Sequence, residues 1–343
     1  MQIATSPTLD RIVGHAWVLD LLVKRLAEGA VPHAQLIVGP PHIGKFTTAL
    51  ALAQLLLCEQ GTGCGLCRHC ELTGRRAHSD LRILEIPADR RSIPVAEVHE
   101  FMHGIALRPL EAERKVYIVR GAEDLAEEGA NALLKTIEEP PPTVTVILTA
   151  PEPGSVLPTI VSRCQVVRLR PVARGDIAAH LEKQLGLAPD RADATARASK
   201  GRPGWAILAA KEPDLVDGRQ ERASELLAML RGTRLERLEH ADALAERWGK
   251  DADEVREALD AWMELWRDLL LSQHGAADRI AFVGLAGELR ELANALSAET
   301  VRNGLAETLA IADALERNAH PRLALETYAL RLPRLAGRAS TGR

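Results

Sequence analysis

No uninterrupted apolar run in this 343-residue chain approaches the roughly 20 residues that a membrane-crossing helix needs, and no basic-then-apolar signal segment stands at its start. Both absences point to a cytoplasmic protein without a membrane partner. Excess basic charge is also missing. A formal net charge of -4 gives no global electrostatic reason for nucleic-acid binding, so such a role has to be argued from local features. Cysteine is scarce, yet four of the five fall between positions 58 and 70, which in a reducing compartment argues for a metal site over disulfides. No internal repeat is visible. A hydrophobic content of 46% is ordinary for a globular protein, and the length exceeds what one core usually serves, so two or three domains are expected.

What is present begins with Gly39-Pro40-Pro41-His42-Ile43-Gly44-Lys45, a fit to the Walker A pattern. Glycines let such a loop wrap round phosphate while its amides converge there, and the lysine adds a point charge. The apolar run Ala34 to Val38 before it suits a buried strand, and Thr47 to Leu57 after it reads as an apolar helix. The next residue breaks the pattern. A hydroxyl should follow the lysine to hold magnesium, and Phe46 stands there.

Further strands are expected at 81–86, 116–119, 144–149 and 165–169, with intervening segments mostly long enough for crossover helices, among them 92–107. The fold class is therefore α/β, a five-stranded parallel P-loop sheet covered by helices on both faces. In a P-loop ATPase the third strand ends in a magnesium-binding Asp followed by a base. Here Arg120 and Gly121 occupy those places, and Glu123 and Asp124 come too late, so that they are expected to face away from a γ-phosphate as helix-start acids. Cys58, Cys64, Cys67 and Cys70 offer paired C-x-x-C steps that can surround one tetrahedral ion; four ligands leave no open position, so a zinc there would be structural. His69 is a substitute ligand in principle and is expected to be exposed.

From Pro171 the composition turns helical. Short helices are expected at 177–185, 190–198 and 205–210, the last after the turn Ser199 to Gly204, followed by a strand-poor region with helices at 220–231, 235–248, 252–272, 279–296, 298–317 and 322–330. Trp248, Trp262 and Trp266 suit that bundle's core or interfaces. The expected organisation is a P-loop domain over 1–170, a helical lid over 171–212, an all-α domain over 213–335 and a disordered tail over 336–343.

Several motifs together resemble one family. Gly39 to Lys45, the cysteine cluster, Asn131-Ala132-Leu133-Leu134-Lys135-Thr136-Ile137-Glu138-Glu139-Pro140-Pro141 and Leu157-Pro158-Thr159-Ile160-Val161-Ser162-Arg163-Cys164 are similar to those of bacterial DNA polymerase III clamp-loader subunits of the AAA+ class. The resemblance covers residues 10 to 210, and the helical remainder is compatible with the family's collar domain. Within the family it is to the delta-prime branch, not to the ATP-hydrolysing gamma/tau branch. Phe46, Arg120, Gly121 and Gly204, the last where the family's lid arginine (sensor 2) would reach nucleotide, support that choice. Arg202 is two residues out of register.

The resemblance implies a subunit of the polymerase holoenzyme without ATPase activity of its own. Its partners would be gamma/tau and delta subunits in a pentameric hetero-oligomeric ring, and through them the sliding clamp and primer-template DNA. Arg163 matches the arginine finger that such subunits hold out to ATP on the adjacent gamma/tau subunit; alternatively it caps its turn or pairs with an acid. Thr149 matches the sensor 1 position. Gly39, Gly44 and Lys45 are left as a degenerate Walker A at which phosphate binding is open and ATP binding is absent or vestigial. The competing reading is a self-sufficient AAA+ ATPase, a gamma/tau-like or helicase-like motor, in which Lys45 works with Thr47 as metal ligand.

Overall fold

The computed structural model describes residues 12–87, 90, 92–105, 107–212 and 214–333; the expected tail at 336–343 lies outside them. Contacts gather the chain into two compact units, Met1–Leu187 with Lys200–Ile207, and Ala188–Ser199 with Leu208–Arg343. The cuts fall within the segment expected as a lid.

In the first unit the chain runs α1 (Ala16–Ala27), β1 (Ala34–Val38), α2 (Lys45–Leu57), α3 (Arg68–Gly74), β2 (Leu81–Leu84), α4 (Val95–His103), β3 (Lys115–Arg120), α5 (Glu127–Glu138), β4 (Val144–Ala150), α6 (Pro158–Val161), β5 (Gln165–Arg168) and α7 (Arg174–Leu185). The five strands form one sheet in the order β2-β3-β4-β1-β5, and every pairing is parallel. β1 and β4 are buried along their whole length, polar Gln35, Thr145 and Thr149 included, as strands in a sheet covered on both faces are. Alternation sends Leu36 and Val38 into one apolar cluster with Leu133, Ile137 and Ile160, and Ile37 into the other with Ile43 and Leu52. The loop after β1, the end of β3 and Thr149 of β4 thus share the carboxyl edge of the sheet, where open α/β folds bind their ligands.

Two elements differ from expectation. The helix expected over 92–107 is confined to α4, because Ile93 precedes Pro94, which disfavours helical backbone there, and Ile93 instead bridges to Leu125. Residues 68–74, expected only as part of a cysteine-bearing turn, form α3, whose first turn is capped by the Cys67 sulfur accepting the Cys70 amide.

The second unit is all helical among the described residues: α8 (Pro189–Ala198), the end of α9 (Pro203–Lys211), α10 (Asp214–Arg231), α11 (Arg234–Lys250), α12 (Ala252–Gln273), α13 (Ala286–Ala295), α14 (Ala298–Glu316) and α15 (Pro321–Arg331). α8 joins it through the Ala198 carbonyl, which accepts from Arg219 Nη1 at 2.7 Å. Trp262 and Trp266 are wholly buried, their indole N–H groups donating to the Arg222 carbonyl and Thr308 Oγ1, while Trp248 packs partly buried against the same core. The helix expected over 279–296 starts only at Ala286. Ahead of it, buried Asp268 accepts the amides of Ala281 and Phe282 at 2.6 and 3.0 Å, which competes with helix at those residues.

Candidate functional site

Gly44 (φ 103°) and His42 (φ 60°) both take left-handed backbone, turning the loop tightly into α2. Buried His15 braces it from outside, its Nε2 lying 3.0 Å from the Ile43 carbonyl. The loop's lysine is turned inward. Lys45 Nζ donates to the carbonyls of Gly39 at 2.7 Å and Pro40 at 3.1 Å, so the cation that should meet phosphate is held by its own loop. Burial lowers the Lys45 ammonium below its usual range, against a raising effect of Glu123.

Phe46 lies beneath two guanidinium groups, with Arg76 and Arg120 carbons 4.5 and 5.1 Å from the ring centroid. Glu85 ties both arginines, at 3.6 and 2.8 Å. The residue after the lysine and the residue ending β3 therefore meet in one cation–π stack, on the ground where a P-loop enzyme assembles its metal. The Thr149 hydroxyl accepts the Gly121 amide at 3.1 Å. The Gly204 amide donates to the His42 carbonyl at 2.9 Å, and a Cβ at Gly204 would lie 2.7 Å from that oxygen. Backbone of the loop thus packs directly against Gly204, leaving no room for a side chain there.

His42, Gly44, Lys45, Phe46, Glu85, Arg120, Gly121, Thr149 and Gly204 line a cleft of about 620 Å³. Glu123 and Asp124 line it too: the left-handed Gly121 (φ 82°) turns the chain straight into a 3-10 turn, Ala122–Asp124, at the sheet edge, and both acids stand in its first turn. Desolvation raises both carboxyls above their usual range. Thr47 lines the cleft, whereas Thr48 Oγ1 is spent on the Gly44 carbonyl.

The cysteine cluster closes as its spacing predicts. Cys58, Cys64, Cys67 and Cys70 sulfurs stand 3.8 to 4.0 Å apart in the pairs 58–64, 64–70 and 58–67. A tetrahedral ion with sulfurs at about 2.3 Å sets them about 3.8 Å apart. Amides of Cys64, Cys67 and Cys70 donate to the sulfurs of Cys58, Cys64 and Cys67. Desolvation raises the Cys58 thiol, but amide hydrogen bonds from Cys64, Gln60 and Thr62 outweigh it and hold it at about 6, which favours a thiolate ligand. The four residues could hold a metal ion such as zinc. His69 is not exposed as expected. Its side chain is 12% accessible, with Nδ1 3.0 Å from His78 Nε2 and Nε2 3.6 Å from a Glu59 oxygen. The Asp80 amide donates to His78 Nδ1, so His78 carries its proton on Nε2 and gives it to His69, making a hydrogen-bonded chain and not a fifth ligand.

Arg163 follows α6. Its Nη1 donates to the Thr159 carbonyl at 3.0 Å and approaches Ser162 Oγ at 3.3 Å; its Nη2 pairs with Glu138 at 2.8 Å. In this chain, then, it both caps its turn and pairs with an acid, while its side chain stays 40% exposed. Burial pushes the neighbouring Cys164 thiol up to about 12. Glu138, His15, Asp80 and His78 were not foreseen as contributors. Glu138, His15 and Asp80 each find a partner remote in sequence, and His78 joins Asp80 to His69; for Glu138 the one hint is its place in the Asn131 to Pro141 motif.

A family model described as DNA polymerase III, delta subunit, matches residues 14–173. The chain is 31% identical over 281 residues to "DNA polymerase III subunit delta'" of Escherichia coli, covering 81% of each chain. It is 26% identical over 308 residues to the subunit of the same description from Bacillus subtilis, covering 88% of this chain and 89% of that one. It is also 30% identical over 290 residues to DNA polymerase III subunit tau of Escherichia coli, of which it spans 44%.

Proposed function

The chain belongs to the delta-prime family of DNA polymerase III clamp-loader subunits, and we propose that it acts as a loader subunit that does not hydrolyse ATP. The observation that carries this reading is the inward-turned Lys45, held by the Gly39 and Pro40 carbonyls beside a Phe46–Arg76–Arg120 stack. To bind a triphosphate the loop would have to release its lysine. To bind magnesium it would have to break that stack, and neither Phe46 nor Arg120 offers an oxygen ligand. Glu123 and Asp124 line the same cleft and, when ionised, repel phosphate.

Arg163 is the group offered outward. In a ring it would reach ATP on the adjacent gamma/tau subunit, where guanidinium offsets charge developing on the transferred phosphoryl group; a finger in trans is worth about 10³ to 10⁵ in rate. The remaining roles follow from the family. A structural zinc would be held by Cys58, Cys64, Cys67 and Cys70, fixing the segment between α2 and β2. The helical region from 213 to 335 would serve as the oligomerising collar and 171 to 212 as the lid. Partners would be gamma/tau and delta, with the sliding clamp and primed DNA reached through the complex, in the cytoplasm. No helix among the described residues is long and apolar enough to cross a membrane.

The presence of Thr47, Glu123 and Asp124 along the cleft favours one competitor, a self-sufficient ATPase. Steady-state ATP hydrolysis by the isolated chain separates them. The proposal expects no turnover above background; turnover that Lys45→Ala abolishes would establish the motor instead.

A further inference from the structure

We propose that Glu138 is the positioning residue for Arg163, holding the guanidinium as a braced donor for phosphate. The inference rests on the finger reading above. A guanidinium has five N–H donors. Nη1 is engaged by the Thr159 carbonyl and Ser162 Oγ, and Nη2 is paired with Glu138 Oε1. Nε–H and the second Nη2 hydrogen remain, enough for a two-point contact with phosphate oxygens.

Both sides of the brace stand on rigid ground. Glu138 is the last residue of α5, next to Ile137, which is 1% exposed, and Arg163 follows α6, whose Ile160 is fully buried in the same apolar cluster. A free arginine has many rotamers to lose on meeting phosphate. One already held by a core-anchored acceptor has fewer, which is how preorganisation lowers a barrier. The Glu138–Arg163 pair is itself exposed, at 45% and 40%, so its contribution is modest. What the position needs is an acceptor and not a charge, because a carboxylate beside a phosphate is repulsive. Glutamine should therefore serve as well as glutamate, and alanine should not.

The test is steady-state ATPase of the reconstituted loader carrying this subunit as wild type, Glu138→Ala, Glu138→Gln, Arg163→Ala or the Glu138→Ala/Arg163→Ala pair. The expected result for Glu138→Ala is turnover roughly two- to five-fold lower at the one gamma/tau site next to Arg163, the range of an exposed ion pair, seen as a partial loss of the share that Arg163→Ala removes, with KM for ATP unchanged. Glu138→Gln restores kcat, and Glu138→Ala adds nothing once Arg163 is gone. Matching melting curves for the single variants exclude a folding cause. Wild-type kcat for Glu138→Ala where Arg163→Ala is impaired, an equal loss in both Arg163 backgrounds, or failure of glutamine to rescue would overturn the positioning role and leave the finger standing. An unimpaired Arg163→Ala loader would remove the finger itself, and this proposal with it.

Discussion

Replacing Asp80 by Asn should weaken the P-loop unit far more than its loss of one charge suggests. Asp80 is 1% exposed at the start of β2, and its carboxylate accepts three amides: Leu110 at 2.7 Å on Oδ1, and Glu111 at 2.8 Å and Ala112 at 2.9 Å on Oδ2. It thereby pins the 110–112 turn against the sheet. Asparagine keeps one oxygen. The better of its two flips retains the Oδ2 pair and points an NH2 at the Leu110 amide, losing one charge-assisted bond worth about 1.5–3 kcal/mol and weakening the other two. The total comes to about 2–4 kcal/mol, or a fall in Tm of roughly 5–15 °C for a domain of this size, read by calorimetry with urea denaturation as a check. The acid side supplies a second readout. Burial raises the Asp80 pKa, but the three amides outweigh it and hold the group below its ordinary value. Its charge therefore contributes stability that is complete above about pH 4 and is lost as pH falls through the folded value. The gap between wild type and Asp80→Asn should close in that acid window. A variant within about 0.5 kcal/mol of wild type, the scatter of neutral surface changes, would refute the reasoning, as would a gap indifferent to acid.

Metal analysis of the purified chain should find about one zinc, as a closed four-ligand site requires, and Cys70→Ser should lower both zinc content and the Tm of the P-loop unit; a metal-free protein of equal stability would contradict this. Gly304→Ala should destabilise the helical unit by about 1–3 kcal/mol in denaturant unfolding, because the new methyl would meet the buried Trp266 ring at 2.5 Å. Gly204→Arg should lower stability without creating ATPase activity, since its Cβ collides with the His42 carbonyl; restored turnover in that variant would show that lid register alone had silenced the site.

Periodicity and spacing located the sheet because buried parallel strands are written as short, mostly apolar runs, as Ala34 to Val38 and Val144 to Thr149 are despite Gln35, Thr145 and Thr149. The cysteine cluster was legible for a similar reason: its ligands are local in sequence, and the paired C-x-x-C steps dictate the turn. What stayed hidden depends on partners remote in sequence. Nothing in the segment around Phe46 announces that Arg76 and Arg120 will converge on its ring, or that Glu85 will hold both. Gly121 reads as a missing base, and nothing in the spacing announces that its left-handed turn sets Glu123 and Asp124 along the cleft. Asp268 shortens an expected helix from thirteen residues away, through a carboxylate that no local pattern marks.

On the function proposed above, nucleotide chemistry has left the Gly39 to Lys45 loop, and Arg163 serves it from this chain in trans. ATPase of the reconstituted loader with Arg163→Ala in this subunit tests that most directly, set beside a loader carrying Lys45→Ala in the same subunit. Arg163→Ala should lower the rate by several orders of magnitude at the one gamma/tau site next to it, seen as loss of that site's share of turnover, with little change for Lys45→Ala. Full activity with Arg163→Ala and a loss with Lys45→Ala would contradict it.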